Sequence, residues 1–123
     1  MKGTYDTVVT SELTAEYMGS GSIPVFATPA LVALMEKAAC IALEGSLNEG
    51  VTTVGTRIEV SHEAATPLGM RVWAEAKLVN QEGRSYEFEI TAYDECGLIG
   101  KAFHQRTAVN AARFMEKVNA KRG

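Results

Sequence analysis

Between Phe26 and Leu47, in the stretch FATPALVALMEKAACIALEGSL, apolar residues recur at three- and four-residue spacing, which predicts a helix. At about 100° per residue, Leu31, Leu34, Met35, Ala38, Ile41 and Ala42 gather on one face, the stripe of a helix lying on a core. Thr28 suits the N-cap, Pro29 the first helical position and Gly45 the stop. The other faces are unusual for a surface helix. Glu36 sits nearly opposite the stripe among Val32, Ala39, Cys40 and Leu43, while Ala30, Ala33, Lys37 and Glu44 leave a narrow strip for water. A helix this apolar is expected to be covered on two sides. Glu36 then lies in a covered region, and its neighbours one turn away, Val32, Ala33, Ala39 and Cys40, include no cation. An unpaired carboxylate taken out of water is costly or takes up a proton, so a group from elsewhere in the chain must answer it.

From Thr53 onward the apolar period drops to two. Val54, Thr56, Ile58, Val60 and His62 share one face of a half-exposed strand, with Arg57, Glu59, Ser61 and Glu63 on the other. Thr66-Pro67-Leu68-Gly69 turns the chain into a second alternating run, Met70 to Leu78. Asn80-Gln81-Glu82-Gly83 leads into a third, Tyr86 to Ala92. Asp94-Glu95-Cys96-Gly97 closes a third hairpin before a last strand, Leu98 to Val109, on which neither face is clearly polar. Ahead of the helix, Thr4 to Val9 reads as a short strand and Thr14 to Met18 as a helical turn, followed by the loop Gly19-Ser20-Gly21-Ser22. Asn110 can cap a terminal helix that ends in a basic tail, Lys117, Lys121 and Arg122. A strand, one long helix and four strands joined by short turns predict an α+β fold: a five-stranded antiparallel sheet with one helix on its face. About 18 helical residues span ~27 Å, a length that such strands can match and wrap.

Composition narrows the function classes. With 123 residues, 46% hydrophobic and 22% charged, the chain reads as a single domain, at a size where pairing often completes burial. A net charge of −3 and a pI near 5.4 supply no basic field, so no nucleic-acid partner is expected. The uncharged run from Tyr17 to Met35 is broken by Gly19, Gly21, Pro24 and Pro29, and MKGTYDTVV lacks the apolar core of a signal peptide. The expectation is a cytoplasmic protein without a membrane partner, with Cys40 and Cys96 as reduced thiols. His62, His104 and the two remote cysteines show no zinc spacing, and neither GxGxxG nor GxSxG occurs, so no metal or resident cofactor is expected.

Taken singly, the polar residues at these positions have ordinary explanations. Thr28 is a helix cap, His62 a satisfied core histidine, and His104 a structural one. Glu36 stands out, because a carboxylate inside an apolar stripe is expensive.

Three stretches change that reading: VFATPALVALMEKAA (Val25 to Ala39), TVGTRIEVSHEAATPLGM (Thr53 to Met70) and, more weakly, IGKAFHQR (Ile99 to Arg106). Together they resemble the hotdog-fold acyl-CoA thioesterases and dehydratases, and within that fold the fluoroacetyl-CoA thioesterase family. The resemblance implies an apolar helix swaddled by a long antiparallel sheet, and a homodimer whose sheets join with active sites at the subunit interface. It also implies an active site of Thr28, Glu36 and His62, with the Gly55 backbone beside the thioester and Arg106 near the site. Coenzyme A would enter as part of the substrate. The family's phenylalanine-lined lid ahead of the helix is replaced here by Gly19-Ser20-Gly21-Ser22. The expectation is therefore hydrolysis of short- to medium-chain acyl-CoA thioesters without strong fluoroacetyl selectivity. In that chemistry His62 is general base and acid, Glu36 is the nucleophile or the carboxylate that activates water, and Thr28 positions the reacting group. Two other readings of the same fold stand beside it: a hydratase or dehydratase of acyl thioesters, and a non-catalytic acyl-CoA-binding module.

Overall fold

The computed structural model describes all of residues 1–123. Strand β1 (Lys2–Val8) is followed by a single-turn helix α1 (Ala15–Met18) and the long helix α2 (Thr28–Ala42). Strands β2 (Val51–His62), β3 (Arg71–Glu82), β4 (Ser85–Asp94) and β5 (Gly97–Asn110) come next, and helix α3 (Ala111–Asn119) ends the chain. All strand pairs are antiparallel and the sheet order is β1-β3-β4-β5-β2.

Five strands and one long helix are what the sequence pattern predicts; their connectivity differs in one place. The turn at 66–69 does not make a hairpin, because β2 pairs with β5 and β3 with β1. The segment between β2 and β3 instead crosses the end of the sheet, held by groups far away in sequence. Buried Thr66 donates its hydroxyl to Asp94 Oδ2 at 2.7 Å, and its carbonyl accepts from the Phe26 N–H at 2.9 Å. Asp94 Oδ1 in turn accepts from the Cys96 N–H at 2.8 Å. A buried carboxylate satisfied in this way locks the crossover to the residues that lead into α2. The true hairpins are β3–β4, through Gly83 at φ 58°, and β4–β5, through Gly97 at φ 137°.

The stripe on α2 meets the inner face of the sheet. Leu31, Leu34, Met35, Ala38 and Ala42 are buried against Val72, Ala74 and Ala76 of β3 and Phe88, Ile90 and Ala92 of β4. Each fully buried Leu or Phe side chain contributes about 1.5–3 kcal/mol, and the facing alanines let helix and sheet approach closely. The approach is tightest at Gly3 of β1, where a Cβ would collide with the Ala38 carbonyl and the Ala42 backbone. Ala30, expected at the water strip, is buried as well, since β1 and the segment before α2 wrap that side. The helix is shorter than predicted. It ends at Ala42, where the Leu43 N–H turns back to the Cys40 and Ile41 carbonyls, and Gly45 follows at φ 78°. Asn110 caps α3 through the Arg113 N–H at 3.0 Å. No helix is long and apolar enough to cross a membrane.

β2 is an edge strand of 12 residues, none fully buried, and within the chain it pairs on one side only. A bulge at Thr56 shifts its register between Gly55 and Arg57. Strict alternation puts Val54 and Thr56 on the face of His62. With the bulge, Thr53 and Gly55 pair with Ala108 and Arg106, and so share the inner face with Ile58, Val60 and His62.

Candidate active site

Thr28 is the first residue of α2 rather than its cap. Ala27 occupies the N-cap with extended backbone (φ −74°, ψ 144°), and no side chain caps the helix. Already in the first helical turn, the Thr28 hydroxyl points off the helix toward the end of β2, where it shares a 2.8 Å hydrogen bond with His62 Nδ1. Alternation with Ile58 and Val60, past the bulge, keeps His62 on the inner face there. Phe26 meets the imidazole edge-on at 6.4 Å, and Nε2 is shut off from water without a hydrogen-bond partner. Burial lowers the His62 pKa below 6.5, opposed in part by the Ala64 backbone. The ring is therefore neutral at physiological pH, the form that can accept a proton.

A cavity of about 260 Å³ opens over this pair, lined by Ala15, Ser20, Val25, Phe26 and residues 63–65. Ser20 comes from the loop predicted to be small and polar. The loop is anchored at both ends: the Ser20 N–H bonds the Ala15 carbonyl at 3.1 Å, and the Glu16 N–H bonds the Ile23 carbonyl at 3.1 Å. Gly19, at φ 74°, ends α1 between them.

Glu36 lies two helical turns further along α2, half-exposed, and its non-local partner is Arg106. Arg106 Nη1 donates to Glu36 Oε2 at 3.0 Å. The other Arg106 contacts are internal too: Nε to Thr53 Oγ1 at 2.9 Å, Nη2 to the Thr53 carbonyl at 3.1 Å, and Nη1 to His104 Nε2 at 3.1 Å. At 6% exposure, Arg106 is committed to holding Glu36 rather than reaching a ligand itself. Gly55 completes the cluster. A Cβ there would lie 2.6 Å from Glu36 Oε2, so only glycine lets the carboxylate sit against the β2 backbone. A second opening, of about 340 Å³, lies over Glu36, Gly55 and His104.

The five residues singled out in the sequence thus form two groups in one chain, Thr28 with His62 and Glu36 with Gly55 and Arg106. Eight residues along a helix separate Thr28 from Glu36 by ~12 Å, too far for both to act on one carbonyl within a single copy. Sequence reasoning left His104 out. Its signal was the spacing His104-x-Arg106, which puts both side chains on one face of β5.

Comparison with known proteins identifies the family and the fold. Residues 9–112 match the family described as FlK, fluoroacetyl-CoA-specific thioesterase. The fluoroacetyl-CoA thioesterase of Streptantibioticus cattleyicolor is 39% identical over 97 residues, which cover 79% of this chain and 70% of that protein. A mutant of the fluoroacetyl-CoA-specific thioesterase FlK, solved in complex with fluoroacetate and CoA, superposes with a TM-score of 0.87 at 33% identity, covering 93% of this chain and 96% of that one. A thioesterase superfamily member from Thermus thermophilus superposes with a TM-score of 0.91 at 30% identity, covering 99% and 90%. The central helix wrapped by a five-stranded antiparallel sheet is the hotdog fold of these thioesterases. On the extent of the family match and the identity to its curated member, the chain belongs to the fluoroacetyl-CoA-specific thioesterase family.

Proposed function

We propose that this protein hydrolyses short- to medium-chain acyl-CoA thioesters at a site completed by two copies of the chain. The observation that carries the reading is the division just described: two half-sites flank an edge strand whose outer side has no partner in the chain. A long unpaired edge with a half-apolar inner face is a template for a second strand. Val32, Glu36 and Cys40, the half-exposed face of α2, lie on the same side as that edge. Two copies of β2 paired antiparallel about a two-fold near Ile58 and Glu59 set Gly55 of one copy beside the partner's His62. The carboxylate of Glu36 and the imidazole of the partner's His62 then face one thioester.

In that site the Gly55 N–H is the donor for the thioester oxygen, whose developing charge one such donor stabilises by ~3–4 kcal/mol. Neutral His62 accepts the proton from the attacking water and returns it to the departing CoA sulfur; by way of an acyl-Glu36 intermediate, CoA leaves first as the thiolate and is protonated afterwards with the proton that His62 takes from the resolving water. The products are the free acid and CoA thiol. A thiolate with a reference pKa of ~8.5 leaves with little help, so one imidazole suffices for both proton transfers. Thr28 holds Nδ1 and thereby fixes the orientation of the ring. The free thiols of Cys40 and Cys96 suit a reducing compartment, and we place the protein in the cytoplasm.

The acyl range follows from the entrance. With Ser20 rather than an aromatic ring over Thr28 and His62, little is available to distinguish a fluoromethyl from a methyl group, a contact worth ~1–3 kcal/mol even where it exists. The test is release of free thiol from acetyl-, fluoroacetyl-, propionyl-, butyryl- and hexanoyl-CoA. Turnover across the series with a modest fluoroacetyl preference is expected. No thiol release from any of them sinks the proposal, and a fluoroacetyl preference of several thousand-fold sinks the account of the entrance.

A further inference from the structure

His104 is 1% exposed, carries a titratable ring and has no part in the chemistry above. Its surroundings define its proton. Nδ1 lies 2.8 Å from the Arg57 carbonyl, which can only accept, so Nδ1 carries the hydrogen. Nε2 in the neutral ring is then a lone pair, and Arg106 Nη1 donates to it at 3.1 Å. The second hydrogen on Nη1 goes to Glu36 Oε2 at 3.0 Å. The result is a chain of three bonds, His104 to the Arg57 carbonyl, Arg106 to His104 and Arg106 to Glu36, that aims one oxygen of the carboxylate at the guanidinium. Glu36 Oε1 receives no hydrogen bond from the protein.

We propose that His104 is a positioning residue for hydrolysis: as a neutral acceptor it fixes the Arg106 guanidinium, which holds Glu36 Oε2 beside Gly55 and leaves Oε1 free to act on the thioester. This rests on the reading of Glu36 as the catalytic carboxylate. The charged groups that face His104 are Glu36 from α2, at 3.9 Å, and Arg106 from its own strand; β2 presents the Arg57 carbonyl and β4 the Phe88 ring at 6.3 Å. Protonation of Nε2 would replace the acceptor by a donor and set an imidazolium against the guanidinium. Burial first, then the Arg106 charge, lowers the His104 pKa, against the Arg57 carbonyl and Glu36, so the acceptor form persists at neutral pH and is lost as pH falls below the lowered value.

The test compares His104→Gln with His104→Asn in the full-length protein. The glutamine amide reaches as far as Nε2 and offers Arg106 an oxygen; the asparagine amide reaches only as far as Nδ1 and keeps the bond to the Arg57 carbonyl. The Gln variant is expected to retain kcat within a few-fold of wild type. The Asn variant is expected to lose about tenfold or more in kcat with KM little changed, the size of a misplaced catalytic group. A purely structural histidine would rank the two variants the other way. Asn equal to or faster than Gln overturns the proposal, and so do two equally impaired or two unimpaired variants. Independently of folding in any variant, nitrogen NMR of the wild-type ring at pH 7 should show the Nδ1–H tautomer, and an Nε2–H or doubly protonated ring there overturns it as well. Glu36→Gln separates the two layers. If that variant stays fully active, the assignment of Glu36 fails; if it is inactive while Gln and Asn rank wrongly, the inference about His104 alone fails.

Discussion

Thr28 Oγ1 lies 2.8 Å from His62 Nδ1, joining the first turn of α2 to the last residue of β2 across 34 positions of sequence. The hydroxyl does not cap the helix, so function and stability can be separated at this residue. Thr28→Ala is expected to lower kcat/KM by about tenfold or more, the range of a lost positioning contact, while shifting the melting temperature by little. Thr28→Ser should remain substantially active. Thermal denaturation beside steady-state kinetics decides it, and a large loss of stability with unchanged turnover per folded molecule would return Thr28 to a structural role.

The pH profile follows from two histidines that must both be neutral. In the proposed mechanism His62 is the base and His104 holds the Arg106–Glu36 pair; burial depresses both below 6.5. Activity should be level through neutral pH and fall only as pH drops through those lowered values. Because two protons inactivate the free enzyme, log kcat/KM against pH should approach a slope of about two on the acid side. His104→Gln should reduce that slope to about one. A wild-type limb centred well above 6.5 contradicts the burial argument.

Gly55 tests the contact between β2 and the carboxylate. A Cβ at this position would sit 2.6 Å from Glu36 Oε2 and 3.3 Å from Arg106 Nη1. Gly55→Ala should therefore displace the carboxylate and lower kcat by about 10²-fold, while the sheet, whose backbone at Gly55 has no positive φ, stays folded. Unchanged kcat would show that Glu36 can move without consequence. That result counts against its assignment.

Much of this was legible in the sequence because period and burial agree there. The stripe from Leu31 to Ala42 and the alternation of β3 and β4 gave the helix and the central strands directly. Glu36 announced its need for a non-local partner, which the structure supplies as Arg106. Three features were hidden. Pairing of β2 with β5 depends on tertiary contacts, among them the Thr66–Asp94 bond, so the short 66–69 turn mimicked a hairpin. The bulge at Thr56 cannot be seen in a period-two count, yet it brings Gly55 to the inner face. His104 looked structural because a lone histidine usually is; only its bonds to Arg57 and Arg106 give it a role.

The central claim, that one thioester is hydrolysed between two copies of the chain, is tested most directly by mixing two inactive variants. His62→Ala and Glu36→Gln, each expected to lose about 10²-fold or more alone, are co-refolded in equal amounts and assayed for acyl-CoA hydrolysis. A mixed dimer contains one site with neither substitution and one with both. With random pairing, half of the dimers are mixed, so about a quarter of wild-type activity should return. No recovery, in a sample shown by mass spectrometry to contain mixed dimers, would place both residues in a site within one chain and contradict the account.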